Sequence, residues 1–286
     1  MKVRVVTDSA ADFPLEFVEK YDIGTVPHSI HFENQAWKIG IGISVKDYYQ
    51  RLKNMNEMPK NATPTPQDFD EVFKESLETK KYGHVIYISI SEKLSSTANP
   101  ARIAAKNYKD KITIFNTESA SGVQGLFVLN AVKLLSESKS IDEILEIFEE
   151  LKDEYILDVG FFTLDNVYKS GRLKSKFVLY LTKFIGIKPV AVMERPGELI
   201  STFPGFFLKS HMEKRLVDII IKRAKVELTY DLIVSNVENP KGAERVTNMI
   251  KKKVKINESY ITDCSPIVGT NTGKGTIIMG LLPSID

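Results

Sequence analysis

The stretch "GTNTGKGT" at 269–276 sets a lysine among three glycines, the raw material of a phosphate-binding loop. A Walker-type loop holds four residues between its first glycine and the Gly-Lys pair, with Ser or Thr directly after the lysine. Here only Thr270, Asn271 and Thr272 intervene, and Gly275 separates Lys274 from Thr276. The hydroxyl that would hold Mg²⁺ is displaced, and the arc of backbone N–H groups is one residue short. The following "TIIMGLLP" reads as a buried strand, whereas a phosphate loop opens a helix. The expectation is a glycine-rich turn between two strands, its glycines allowing the backbone to bend tightly.

A second polar stretch, "SEKLSSTANPARIAA", follows the apolar run "HVIYISI" and leads into a helix. Ser95, Ser96 and Thr97 therefore stand where a strand ends and a helix begins. Ligands of open α/β sheets collect at that end of the strands, and unpaired backbone N–H groups flanked by hydroxyls suit an anionic group. The alternative is that Ser95 or Ser96 caps the helix. Other chemistry finds fewer candidates. His28 and His31, three apart on an expected strand, point to opposite faces and make poor joint metal ligands. His84 and His211 read as structural or exposed. Asp8 and Asp12 follow the first strand without the spacing of a phosphatase loop, and helix capping accounts for Asp8. There is no G-x-S-x-G elbow and no H-E-x-x-H helix. No catalytic residue, metal site or cofactor is expected.

The elements that must position these groups alternate through the first half. "KVRVVT" reads as a strand, and "DSAADFPLEFVEKY" as a turn and helix with Pro14 in its first turn. "GTVPHSIHF" reads as a strand, and "SVKDYYQRL" as a helix capped by Ser44. Thr65, Pro66 and Asp68 open another helix. "HVIYISIS" has the continuous apolar character of a strand covered on both faces. A helix over 96–108, the strand "ITIF" and two helices over 119–154 follow. This order implies a mostly parallel sheet flanked by helices. The second half brings "LDVGFFT", a short helix ending at "KSGR", an apolar helix "KFVLYLTKF", and a hairpin of "IKPVAVME" with "ELISTF". Then come helix "FLKSHMEKRLVDIIIKRA", strand "YDLIVSNV", helix "PKGAERVTNMIKK" and strand "SYITD". The expected fold class is α/β in two domains: an N-terminal parallel-sheet domain over 1–155 and a C-terminal α+β domain over 156–286.

The bulk numbers narrow the function classes. At 286 residues, 43% hydrophobic and 27% charged, the chain can bury a sizeable core. A net charge of +2 leaves no electrostatic footprint for nucleic acid. The run "KKKVK" reads as a solvated helix end, where cations suit the helix dipole. One cysteine, Cys264, excludes an internal disulfide and a cysteine metal cluster. No apolar run approaches the roughly 20 residues of a membrane span, so no stable membrane insertion is expected. "MKVRVVTDS" lacks a signal-peptide pattern, and the expected location is cytoplasmic.

Nearly end to end, the chain resembles the DegV family of bacterial fatty-acid-binding proteins. The resemblance runs through "VTDSAADFP", "LSST" in place of Leu-Ser-Gly-Thr, "NTESASGVQGLFVLNAVKLLSE", "VYKSGRLKS", "GIKPVAVMERPGEL" and "IVGTNTGKG", where the family reads Gly-x-His-Thr-Gly-Pro-Gly. It implies a long-chain fatty acid buried between the two domains, as ligand and not cofactor. It also implies a carrier that is not itself an enzyme and presents the carboxyl group to a separate fatty acid kinase subunit, which forms the acyl-phosphate. By the resemblance, Ser95 binds the carboxylate with Ser96 and Thr97 beside it, and Asn61 stands where a carboxylate-binding threonine is usual. Asn271 replaces the histidine, next to Thr272, and Arg172 contacts the kinase or the transferred phosphate. "GFFTL", "FVLYL" and "FPGFF" could line the tunnel. The competing reading is an enzyme acting on a small anionic or phosphorylated substrate, because the family's fold resembles that of dihydroxyacetone kinases. A binder of another apolar acid or lipid would share the tunnel.

Overall fold

The computed structural model describes residues 2–32, 34–55, 57–170, 187–208 and 212–285, with the side chains of 187 and 201–208 left aside. In chain order its strands are β1 (Val3–Asp8), β2 (Gly24–Val26), β3 (Ser29–Phe32), β4 (Gln35–Lys38), β5 (Lys60–Ala62), β6 (His84–Ser89) and β7 (Ile112–Asn116). They continue with β8 (Ile156–Gly160), β9 (Ile187–Glu194), β10 (Glu198–Leu208), β11 (Tyr230–Asn236), β12 (Ile256–Asp263) and β13 (Ile277–Pro283). Among the described residues they form three sheets. One is parallel throughout in the order β2-β1-β6-β7; one is mixed, β10-β9-β8-β13-β11-β12; the third is a small antiparallel sheet, β4-β3-β5.

The parallel sheet is the one expected from the alternating first half, and β6 is buried along its whole length. Local signals hold where they are strongest. Thr65 and Asp68 close a reciprocal capping box at the start of the Pro66–Lys74 helix, with bonds of 3.2 and 2.7 Å. Ser44 caps the Val45–Leu52 helix through the amide of Asp47 at 3.1 Å.

Three expectations are corrected. "GTVPHSIHF" is two strands in two different sheets, because Pro27 has no N–H for a ladder and the chain turns there. Pro14 precedes its helix, which is only Glu16–Lys20. "FFL" at 206–208 belongs to β10, paired antiparallel with β9 across a register shift, and the next helix begins at Met212. The expected helix "KFVLYLTKF" lies outside the described residues.

The Ser121–Ser136 helix ties the two large sheets together. It is apolar around its whole circumference, and such helices are buried on all sides. It packs on β1 and β6 of the parallel sheet and on β11 and β13 of the mixed sheet. Glycines permit the close approach: a Cβ on Gly122 would lie 2.8 Å from Ile233, and one on Gly280 would lie 2.8 Å from the Val123 amide. One apolar core therefore runs from Val5 and Ile88 through Phe127 to Ile233 and Leu282.

Candidate functional site

Because β2, β1 and β6 are parallel neighbours, with Asp8 opposite Val26 and Thr7 opposite Ile88, the loops that follow all three emerge at one end of the sheet. Those loops carry Ser9, His28 and Ser95. After β6 the chain turns on Ser91, whose carbonyl accepts from the amides of Leu94 and Ser95, each at 3.0 Å. The Ala98–Ala105 helix starts without a side-chain cap, so the capping reading of Ser95 and Ser96 is not what the structure contains. Instead Ser95 Oγ lies 2.6 Å from Thr97 Oγ1. Ser95 is half-buried, Ser96 exposed and Thr97 fully buried.

From Thr97 a buried chain of hydrogen bonds runs inward. Thr97 Oγ1 lies 3.1 Å from His28 Nε2, and His28 Nδ1 lies 3.1 Å from Ser9 Oγ, which also accepts the His28 amide at 2.9 Å. Burial pushes the His28 imidazole below its ordinary pKa, with Asp8 Oδ1 at 3.9 Å opposing the shift. Asp8 accepts from the Ala10 amide and the Tyr87 hydroxyl, at 2.9 and 2.7 Å, so it is a buried acceptor and not a helix cap. The Ser9 carbonyl accepts from Ser265 Oγ, and the Ser265 amide donates to Asp12 Oδ1 at 2.7 Å. Asp12 also accepts from Ser121 Oγ, and burial holds its pKa above the usual carboxylate value.

Ser265 begins the Pro266–Thr272 helix, which corrects the reading of "GTNTGKGT" as a turn between strands. Residues 269–272 are the helix's last turn, because Ser265 and Pro266 just upstream start it. Gly273 and Gly275, at φ +89° and +86°, then redirect the chain into β13. Polar side chains in this helix bond back along it. Thr270 reaches the Pro266 carbonyl at 2.6 Å, Asn271 the Ile267 carbonyl at 2.8 Å and Thr272 the Val268 carbonyl at 3.1 Å. Asn61, arriving on β5, donates to the same Ile267 carbonyl at 3.0 Å. Lys274 pairs with Glu238 at 3.6 Å on the surface, so it is no phosphate hook.

The candidate residues thus fall into two joined groups. Ser95 and Thr97 meet each other, Asn61 and Asn271 meet over Ile267, and His28, Ser9 and Ser265 connect them. Thr272 sits one helical step beyond, Ser96 faces solvent, and Arg172 lies outside the described residues, as does His211. Sequence reasoning missed Ser9, His28, Ser265 and the tyrosines beneath them. The Tyr48 hydroxyl bonds Thr270 Oγ1, and Tyr49 donates to the Cys264 carbonyl at 2.9 Å. The strand order would have been the signal, since adjacent parallel strands bring their following loops to one end.

The loops and helix that carry the candidate residues are anchored by apolar side chains. Leu94, Val167, Ile267 and Val268 pack on the shared core, as do Phe161 and Leu164 of "GFFTL". "FVLYL" lies outside the described residues, and the backbone of "FPGFF" forms part of β10. A cavity of about 840 Å³ lies at the opposite end of the parallel sheet, lined by Arg4, Tyr82, His84, Thr113 and Lys139 among others, and none of the candidate residues borders it. Among the described residues no group of three or more His, Cys, Asp or Glu could hold a metal ion, and no helix is long and apolar enough to cross a membrane.

Comparison with known proteins bears on the family and the fold. The family described as "Uncharacterised protein, DegV family COG1307" matches residues 2–284. A relative in Thermotoga maritima, named a fatty acid-binding protein, is 25% identical over 98% of this chain and 98% of its own length. A solved DegV lipid binding protein from the same organism has a TM-score of 0.89 at 23% identity, covering 99% of each chain. A DegV family protein of Eubacterium eligens loaded with heptadecanoic acid has a TM-score of 0.83 at 19% identity, covering 99% of this chain and 100% of that one. The structural likenesses show the fold.

Proposed function

The chain belongs to the DegV family, and on that footing we propose that it binds a long-chain fatty acid between domains spanning 1–155 and 156–286. The carboxylate is held at the mouth by Ser95, backed by Thr97, with Asn61 and Asn271 on the facing side. There it is reachable by a separate kinase that converts it to an acyl-phosphate, with Arg172 at that contact. The protein is the carrier, and the phosphoryl chemistry belongs to the partner.

The observation that carries this reading is the setting of Ser95. Its half-buried hydroxyl stands at the ligand-binding end of a parallel sheet, tied inward to a buried polar chain. Beside it, Leu94 packs on the apolar core shared by both large sheets. A fatty acid needs both features. Burying its tail contributes about 0.8 kcal/mol per CH₂, while its ionised head cannot leave water without donors. The Thermotoga maritima relative, named for fatty acid binding and matched over almost its whole length, supports the same ligand class.

Protein purified from a bacterial host should carry a long-chain acid, seen by native mass spectrometry and identified after solvent extraction. Empty protein that also fails to take up added palmitate would refute the reading. Replacing Ser95 by Ala should weaken palmitate binding by about 1–3 kcal/mol.

A further inference from the structure

We infer that His28 is a positioning residue: in its Nε2–H tautomer it drives a one-way hydrogen-bond chain that leaves the Ser95 proton free for an acceptor-only head group. The inference rests on the carboxylate reading of Ser95 and adds what makes the site choose an ionised acid.

The argument is a count of protons. A carboxylate only accepts hydrogen bonds, and a serine hydroxyl has one proton to donate. If Ser95 gives that proton to the ligand, its 2.6 Å bond to Thr97 must be donated by Thr97. Thr97 is fully buried, and its single proton is then spent. The 3.1 Å contact between Thr97 Oγ1 and His28 Nε2 must therefore be donated by the imidazole. Burial keeps that ring neutral by lowering its pKa, so Nδ1 is left as an acceptor. Ser9 Oγ, 3.1 Å away, fills it with its own proton while accepting the His28 amide. Every proton in the chain is used once, and the only outward proton is that of Ser95.

The opposite tautomer reverses each step. With the proton on Nδ1, Nε2 accepts from Thr97, Thr97 accepts from Ser95, and Ser95 presents lone pairs alone. Asp8 Oδ1, 3.9 Å from Nδ1, favours that arrangement. A bound carboxylate favours the first. The ligand and Asp8 thus pull the imidazole proton toward opposite nitrogens, and the head group's charge decides which wins.

The test uses the full chain and palmitate. Long-range proton–nitrogen NMR on ¹⁵N-histidine protein loaded with palmitate should show His28 protonated at Nε2 and bare at Nδ1. A loaded protein with His28 protonated only at Nδ1 would overturn the inference. In binding assays, His28→Leu and Ser95→Ala should each weaken palmitate about tenfold, and the double variant should be no weaker than Ser95→Ala alone. His28→Gln places an amide N–H where Nε2–H stood and should recover binding to within about threefold of the parent. Additive losses, or a Gln variant as weak as the Leu variant, would refute the relay while leaving the carrier reading intact. Parent protein that binds no palmitate would refute both.

Discussion

The tip of the β9–β10 hairpin is where the mixed sheet grips the loop that presents Ser95, and Gly197→Ala is the change that should break that grip. Gly197 sits at φ +90°, a conformation that costs an L side chain about 1–2 kcal/mol. A Cβ there would lie 2.4 Å from the Glu118 carbonyl oxygen and 2.4 Å from Ser91 Oγ. Glu118 is held in place, since its carboxylate pairs with Arg195 at 3.1 Å and its carbonyl accepts from Tyr155 at 2.6 Å. The turn must therefore lift, and the 3.1 Å bond from Ser91 Oγ to the Gly197 carbonyl goes with it, a further loss of about 1 kcal/mol. Together the variant should lose about 2–3 kcal/mol, a large share of the usual stability of a domain but not all of it. Urea unfolding should show a lower midpoint at unchanged slope. Ser91→Ala should lose only the hydrogen-bond part, about 1 kcal/mol. Because Ser91 anchors the amides of Leu94 and Ser95, Gly197→Ala should also weaken palmitate several-fold. A variant within about 0.5 kcal/mol of the parent, binding equally well, would show that the tip does not support the loop.

Other consequences follow from buried groups. A Cβ on Gly269 would fall 1.8 Å from the Tyr49 hydroxyl, so Gly269→Ala should cost about 1–3 kcal/mol in urea unfolding; with Tyr49→Phe added, the loss should be less than the sum of the two. Burial pushes Asp158 from 3.8 up to about 7 against the pull of Arg223. The folded state therefore keeps a proton that the unfolded chain releases near pH 4, and stability from this group falls by about 4 kcal/mol as pH rises from there through 7. Unfolding measured at pH 4 to 8 should show that slope in the parent and lose it in Asp158→Asn; equal slopes would refute the assignment. Cys264 is fully buried, with its thiol pKa raised by burial and by Asp12, so a thiol reagent should modify it only after denaturation, and rapid labelling of the folded protein would contradict the structure.

How much of this was legible in the sequence depends on the distance over which each feature is decided. Thr65-Pro66 and Asp68 settle a helix start among themselves, and the unbroken apolar run of β6 announces a strand covered on both faces. Ser95 could be placed between a strand and a helix because those elements follow one another directly in the chain. The misreadings arise where the deciding residue lies just outside the stretch being read, or in another sheet. The glycines at 273 and 275 suggested a turn over the whole of "GTNTGKGT", yet Ser265 and Pro266 had already started a helix whose polar side chains bond back on it. In the sequence His28 reads as one residue of a strand, although Pro27 before it ends the ladder and the ring meets Thr97. His28, Ser9 and Thr97 come from three loops that meet because β2, β1 and β6 lie side by side in that order. No periodicity encodes that order, nor the packing of the Ser121–Ser136 helix against both large sheets. Asn61 and Asn271 make the same point from the other side of the site. They stand 210 positions apart in the chain and converge on one carbonyl, that of Ile267. A substitution that shifted this helix by even one residue would separate them without changing either asparagine, so their meeting is a property of helix register as much as of side-chain identity.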